Sequence, residues 1–330
     1  MLAVRKEQFS GCLIGQCLGD ALGFPVEGAP PEVCSEHTRE MKFLLHDSST
    51  FGQYTDDSQL AREWMQSYAT LRCFDPADYA DRINKIFAEN RIVGRGIATD
   101  EAARRLAVGI PWDQAGTPAP SAGNGTAMRA APVGLLFGHD PRDMIRAACD
   151  QSRITHQDRR CWAGAVAIAG AVALATRPGE VRVDNFVPQL SEWVGAVDNR
   201  FAREISNLAE WVKLPTLGAV PIIARSGAPD FVDDWKWISP YVVPSVLWSL
   251  YSFLRSPEDY WETVYTAIEV GGDVDTTAAM AGAISGAHLG LEKLPLEFAR
   301  RVTDQGTWGF DELVDLSHRC HALWVRQSAA

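Results

Sequence analysis

Apolar residues along this 330-residue chain recur at three- and four-residue spacing over most of its length, the period of helices that bury one face. That spacing predicts helices over 6–22, 57–71, 77–90, 99–107, 126–137, 140–151, 157–176, 185–195, 199–212, 242–254, 257–269, 276–290 and 294–302. Sustained period-two alternation is scarce, and MKFLLH (41–46) is the best short strand candidate. Pro/Gly-rich connections fall at 23–31, 107–125 and 214–229. No low-complexity linker, charge block or solenoid-period repeat divides the chain. The expectation is one all-α domain spanning residues 1–330.

Two glycine stripes sharpen it. Gly11, Gly15, Gly19 and Gly23 recur every fourth residue on the first predicted helix, and Gly282, Gly286 and Gly290 do so on a late one. Glycine inside a helix costs roughly 1 kcal/mol against alanine, so seven of them need a reason. At this spacing they make a smooth face against which another backbone can pack. The reading is tight central helix packing.

Composition narrows the class. Hydrophobic residues make up 46% of the chain, enough for a large core. The net charge of −11, with no Lys/Arg run, argues against a nucleic-acid binder that tracks phosphates. The seven cysteines are scattered, odd in number and without a CxxC, which reads as reduced core thiols in a cytoplasmic protein. The start, MLAVRKEQFSG, lacks a long apolar signal region. The longest uncharged apolar stretch, Cys161 to Thr176, is too short and Ala/Gly-rich for a membrane span. A monomer without membrane association is the expectation.

The chemistry concentrates in two acidic clusters far apart in sequence. These are Thr55-Asp56-Asp57-Ser58 and Gly271-Gly272-Asp273-Val274-Asp275-Thr276, each beside a predicted helix start. Clustered carboxylates repel one another and are costly to bury, so a chain usually neutralises them with a cation. The donors are hard oxygens without Cys or His, which favours Mg²⁺, Mn²⁺ or Ca²⁺ over zinc or copper. Brought together, four Asp and two Thr could hold one or two such ions. The bland alternative is two separate helix caps.

Three further segments stand out. Pro25 should break the first helix and leave Glu27 on a loop near its end. Gly123-Asn124-Gly125 precedes a predicted helix, where backbone amides could hold an anion, or else simply turn the chain. Thr155, His156 and Asp158 precede the long apolar helix, where His156 could contact a ligand and Thr155 or Asp158 could cap.

In this order the motifs resemble the ADP-ribosylglycohydrolase family. The segments that carry the resemblance are GQCLGDALGFPVEG (15–28), YTDDSQLA (54–61), GNGTAMRAAP (123–132), SRITHQD (152–158) and GGDVDTTAAMAGAISGAHLG (271–290). The resemblance implies an all-α orthogonal bundle around a binuclear Mg²⁺ or Mn²⁺ site. It implies metal ligation by Thr55, Asp56, Asp57, Asp273, Asp275 and Thr276. It places ADP-ribose against Gly123, Asn124 and Gly125, with His156 near the adenosine or phosphates, and gives Glu27 a catalytic part. One departure is Asp100-Glu101, which stand where relatives of this kind carry threonines and change the charge expected near the scissile ribose.

The implied activity is metal-dependent hydrolysis at the ribosyl C1″ of ADP-ribosylated substrates, with arginine on protein as the expected acceptor. Such cleavage passes through an oxocarbenium-like state and needs an activated water and help for the leaving group. Asp57 or Asp275 could orient the water, and Glu27 could act as acid/base or as a flap. Two other classes remain open at this level: a non-catalytic, crystallin-like ADP-ribose binder and an unrelated two-metal phosphoesterase.

Overall fold

The computed structural model describes residues 4–43, 51–227 and 237–328. Among them the chain is helical without a sheet, and β-type pairing is limited to isolated bridges. The helices, in chain order, are α1 Lys6–Gly23, α2 Pro31–Phe43, α3 Asp56–Leu71, α4 Pro76–Ala88, α5 Ile97–Ala107 and α6 Ala131–Phe137. They continue with α7 Pro141–Arg153, α8 Arg159–Ala175, α9 Val183–Gly195, α10 Asn199–Trp211 and α11 Thr216–Ile223. The last five are α12 Val242–Arg255, α13 Tyr260–Ile268, α14 Val274–Leu289, α15 Leu296–Ala299 and α16 Phe310–Ser328. No helix among the described residues is long and apolar enough to cross a membrane.

The centre is an antiparallel pair, α1 on α14, which share the most extensive helix–helix contact in the molecule. The glycine stripes are the reason. A Cβ added at Gly11 would run into the Gly286 carbonyl, one at Gly15 into Gly282, and one at Gly19 into Ala278. At the end nearest the acidic clusters, a Cβ on Gly23 would lie 2.5 Å from Asp275 Cα. The two backbones therefore touch along four helical turns. Around this pair the apolar α8, buried from Cys161 to Ala175 except at Trp162, packs on α6, α7, α9, α12 and α14.

Several expectations need correcting. Met41, Lys42 and Phe43 of the strand candidate form the last turn of α2, and 44–46 lie outside the described residues. Alternation over six residues does not compete with a helix already running from Pro31. The connection assigned to 214–229 contains α11, whose Pro221 is tolerated within a short exposed helix, and its positions 228 and 229 lie outside the described residues. Helix α16 was not foreseen, although its buried Leu313, Leu316, Cys320 and Trp324 follow helical spacing. The helix expected over 126–137 begins only at Ala131, because Pro132 suits a first turn and residues 126–130 form tight turns. The stretch 294–302 shrinks to α15 after a 3₁₀ turn at Leu291–Lys293.

The glycine interface yields a stability test. Gly286→Ala should destabilise the protein by about 1–3 kcal/mol through overpacking. Gly218→Ala, on α11 with no atom nearer than 3.6 Å to the added Cβ, should be neutral or stabilising. Urea unfolding of both variants checks this; equal effects would remove the close-contact role assigned to the stripe.

Candidate active site

The α1–α14 contact brings the two acidic clusters together. Thr55 stands at the N-cap position of α3 and Asp273 at that of α14, neither side chain making a capping hydrogen bond, so Asp56 and Asp57 occupy the first turn of α3 and Asp275 that of α14. Asp20, near the end of α1, ties the first cluster to the central pair. Its buried carboxylate accepts from Thr55 N at 3.0 Å, Ser58 N at 3.2 Å and Ser58 Oγ at 2.7 Å. Gln16, one turn earlier, donates to the Asp57 carbonyl at 3.0 Å and the Met128 carbonyl at 2.8 Å.

The second cluster depends on two left-handed glycines, Gly271 at φ 76° and Gly272 at φ 97°. Beyond that conformation, neither has room for a Cβ, which would meet the Ala29 carbonyl or the Ile238 carbonyl. The Gly28 amide donates to the Gly272 carbonyl at 2.8 Å, and the Asp273 amide donates to Ile238 O at 2.8 Å. This zips the loop after the Phe24–Val26 3₁₀ turn onto the start of α14. Glu27 stands at the mouth with its carboxylate turned inward. One oxygen from each of Glu27, Asp273 and Asp275 lies within 4.8 Å of the others.

A single cavity of about 530 Å³ collects the parts. Glu27, Asp56, Asp57, Gly123, Asn124, Gly125, His156, Asp273, Asp275 and Thr276 all line it. Thr55 is buried beneath, its hydroxyl 2.9 Å from Asp57 Oδ2 and 3.0 Å from Asp20 Oδ1. With one proton it can donate to only one of these acceptors. The volume is that of a small-molecule site.

Charge is the dominant feature. Asp56, Asp57, Asp273 and Asp275 are all buried. Burial, followed by repulsion from Asp57, lifts Asp275 well above the carboxylate range, and lifts Asp273 to about 8. Burial also raises Asp56, and raises Asp57 to about 6 against the lowering hydrogen bonds from Thr55 and Thr276. Partial desolvation raises Glu27. Among the described residues, Arg95 is the one arginine or lysine lining the cavity, and it is held by Asp100 at 3.0 Å and Asn90 at 2.6 Å. Asp57 Oδ1 is buried without a hydrogen-bond partner. Buried oxygens left bare, repelling one another and without a protein cation, fit a bound divalent ion.

The Gly123–Gly125 loop lines the cavity beside the second cluster. Asn124 Nδ2 donates to Asp273 Oδ2 and, at 2.8 Å, to Ser245 Oγ, so this loop is fastened to the second cluster. Its expected helix start is absent, since α6 opens six residues after Gly125; the first turns after the loop close on the Asn124 carbonyl instead. His156 is buried against the loop, and a Cβ on Gly125 would lie 3.1 Å from its Cε1. Burial and the nearby Arg129 push His156 down to about 3, so the ring is neutral. Asp158 does cap α8, accepting from Arg160 N at 2.9 Å. Asp100 and Glu101 are taken up by arginines, Asp100 with Arg95 and Arg104 and Glu101 with Arg105. Thr99, buried, is the hydroxyl that faces the cavity from α5.

Sequence reasoning gave no role to Asp20, Gln16, Gly94, Gly96 or Arg129. Asp20 carried a signal, as the one charge between Gln8 and Val26 on a glycine-striped helix. Gly94 carried none: its φ of 72° and a would-be Cβ 3.0 Å from Asp56 Oδ1 are properties of the fold.

Comparison with known proteins agrees with this geometry. A family model described as ADP-ribosylglycohydrolase matches residues 1–329. ADP-ribosylhydrolase ARH3 of Gallus gallus is 28% identical over 363 residues, covering 97% of this chain and 94% of its own. ADP-ribosylarginine hydrolase Tri1 of Pseudomonas putida is 25% identical over 304 residues, covering 90% of this chain and 74% of its own. A solved structure titled ADP-ribosylglycohydrolase-related protein complex superposes with a TM-score of 0.71 at 28% identity, covering 97% of this chain and 99% of that one.

The raised carboxylates set a pH dependence. Their folded pKa values lie above the unfolded one, so the metal-free fold loses stability as pH rises from about 4 through about 8. A divalent ion that replaces the protons should bind more tightly over the same range and release protons as it binds. Melting curves with EDTA and with Mn²⁺ between pH 5 and pH 8 should therefore diverge as pH rises. A constant gap would contradict ligation by these carboxylates.

Proposed function

Because the chain belongs to the ADP-ribosylglycohydrolase family, and is with it a glycosidic-bond hydrolase, we propose metal-dependent cleavage at the ribosyl C1″ of ADP-ribosylated substrates as its reaction. The observation that carries this is the meeting of both acidic clusters with Glu27 and the Gly123–Gly125 loop in one cavity. Thr55, Asp56, Asp57, Asp273, Asp275 and Thr276 would hold two ions, Mg²⁺ or Mn²⁺, supplying fixed positive charge against which ribose hydroxyls and a water are oriented.

The chain's own residues divide the remaining work. Asp57 or Asp275 accepts the hydrogen bond that aims the water at C1″. Glu27, whose carboxyl is raised by desolvation and which lines the cavity, is placed to hand a proton to the departing acceptor. Its place at the mouth also suits a flap. The Gly123 and Gly125 backbone and His156 take another part of ADP-ribose, while the Asn124 amide is spent on Pro240 O at 2.9 Å.

Arginine on protein is the acceptor we put to test. The cavity carries Glu27, and Arg95, its one arginine or lysine among the described residues, is already paired with Asp100. That lining is favourable to the delocalised charge of a guanidinium.

Release of ADP-ribose from ADP-ribosylated arginine should proceed with Mg²⁺ or Mn²⁺ and stop with EDTA. Asp275→Asn should abolish it with the fold intact. Glu27→Gln should slow it about 10²–10⁴-fold while ADP-ribose and metal still bind. Turnover undiminished by EDTA or by Asp275→Asn would overturn the metal assignment. Faster release from ADP-ribosylated serine than from arginine would overturn the acceptor.

A further inference from the structure

Arg129 is fully buried, yet no carboxylate is among its hydrogen-bond partners. Its Nε donates to Gln151 Oε1 at 2.8 Å, and its Nη2 donates to Gln151 O at 3.0 Å and Thr155 Oγ1 at 2.7 Å. The Tyr79 ring lies 5.8 Å from its guanidinium carbon. A buried cation that hydrogen-bonds to no carboxylate, with Asp56 acting on it only through space, is costly, so its placement calls for a purpose.

Following the hydrogens gives one. A guanidinium only donates, so Thr155 Oγ1 accepts from Arg129. That oxygen also lies 2.9 Å from His156 Nδ1, and no other acceptor pairs with the Thr155 hydroxyl among the described residues. Were Nδ1 protonated, Thr155 would face two donors, and its own proton would have no acceptor in a position closed to water. The economical arrangement runs from Arg129 through the Thr155 hydroxyl to an accepting Nδ1. Burial beside Arg129 keeps the ring uncharged, against a weaker opposing pull from Asp158. Its one proton is then on Nε2, the nitrogen 3.6 Å from where a Cβ on Gly123 would sit.

We propose that Arg129 and Thr155 are positioning residues that lock His156 in the Nε2–H tautomer. The cavity thereby presents a fixed, uncharged donor beside the Gly123–Gly125 loop to an acceptor oxygen or nitrogen of the bound nucleotide. The ligand half of this rests on the reading of the cavity as an ADP-ribose site; the tautomer half does not.

Long-range ¹H–¹⁵N NMR on the full Mg²⁺-loaded chain tests it, with the His156 signals assigned through His156→Asn. Nδ1 should resonate as an unprotonated nitrogen and Nε2 as a protonated one, with or without ADP-ribose. Thr155→Val should shift Nδ1 toward a tautomer average and weaken ADP-ribose about tenfold, the scale of one hydrogen bond. Thr155→Ser should restore both. A protonated Nδ1 in the unmodified chain overturns the proposal. So does Thr155→Val with the tautomer unchanged, whatever its affinity. Failure of ADP-ribose to bind the unmodified chain would overturn the ligand half, and the ligand-free spectrum would still decide the tautomer.

Discussion

The backbone-to-backbone contact of α1 with α14 is the constraint on which the rest depends. Without side chains at Gly11, Gly15, Gly19, Gly282 and Gly286, the two helices approach until only carbonyls and Cα atoms separate them. At one end of that contact Gly23 abuts Asp275. Asp20, a turn before Gly23, holds the start of α3 through Thr55 and Ser58. Residues 55–57 and 273–276 thus face one another because two helices between them allow nothing wider.

The same closeness creates an electrostatic cost that folding alone does not relieve. Four buried aspartates share one wall of the cavity, and the nearest basic lining residue is already engaged. Hydrogen bonds from Thr276 and Asn124 to Asp273, and the Thr55 hydroxyl shared between Asp57 and Asp20, offset part of the charge. The unpartnered Asp57 Oδ1 shows where they fall short. Burial and mutual repulsion raise these carboxylates, which favours bound protons as part of the balance in the metal-free protein. The lining beside the second cluster avoids formal charge: a neutral His156 and the Gly123 and Gly125 backbone. A ligand that is anionic in the middle and hydroxyl-rich at one end fits this division.

Much of this was legible in sequence because it rests on local chemistry. Carboxylates at two helix starts, glycines every fourth residue and a proline after Gly23 each have a short-range physical meaning, and the fold uses each accordingly. What escaped detection was non-local. Gly94 reads as an ordinary loop glycine until Asp56 is placed against it. The helix expected from residue 126 gave way to turns, since a propensity pattern does not see the Asn124 carbonyl gathering the next amides. Asp100 and Glu101 read as new charge near a ligand, but in the fold they pair with Arg95, Arg104 and Arg105 and do not line the cavity. Arg129 carried no signal, because its importance lies in the neutral acceptors, Gln151 and Thr155, that the fold sets around it.

The central claim is that two clusters more than two hundred residues apart act as one metal centre. Anomalous diffraction from crystals grown with Mn²⁺ tests it most directly. The account requires manganese peaks in the cavity, each within bonding distance of carboxylate oxygens, with residues 55–57 and residues 273–276 both contributing ligands. Manganese bound by one cluster alone, or no peak between them in saturated crystals, would contradict it.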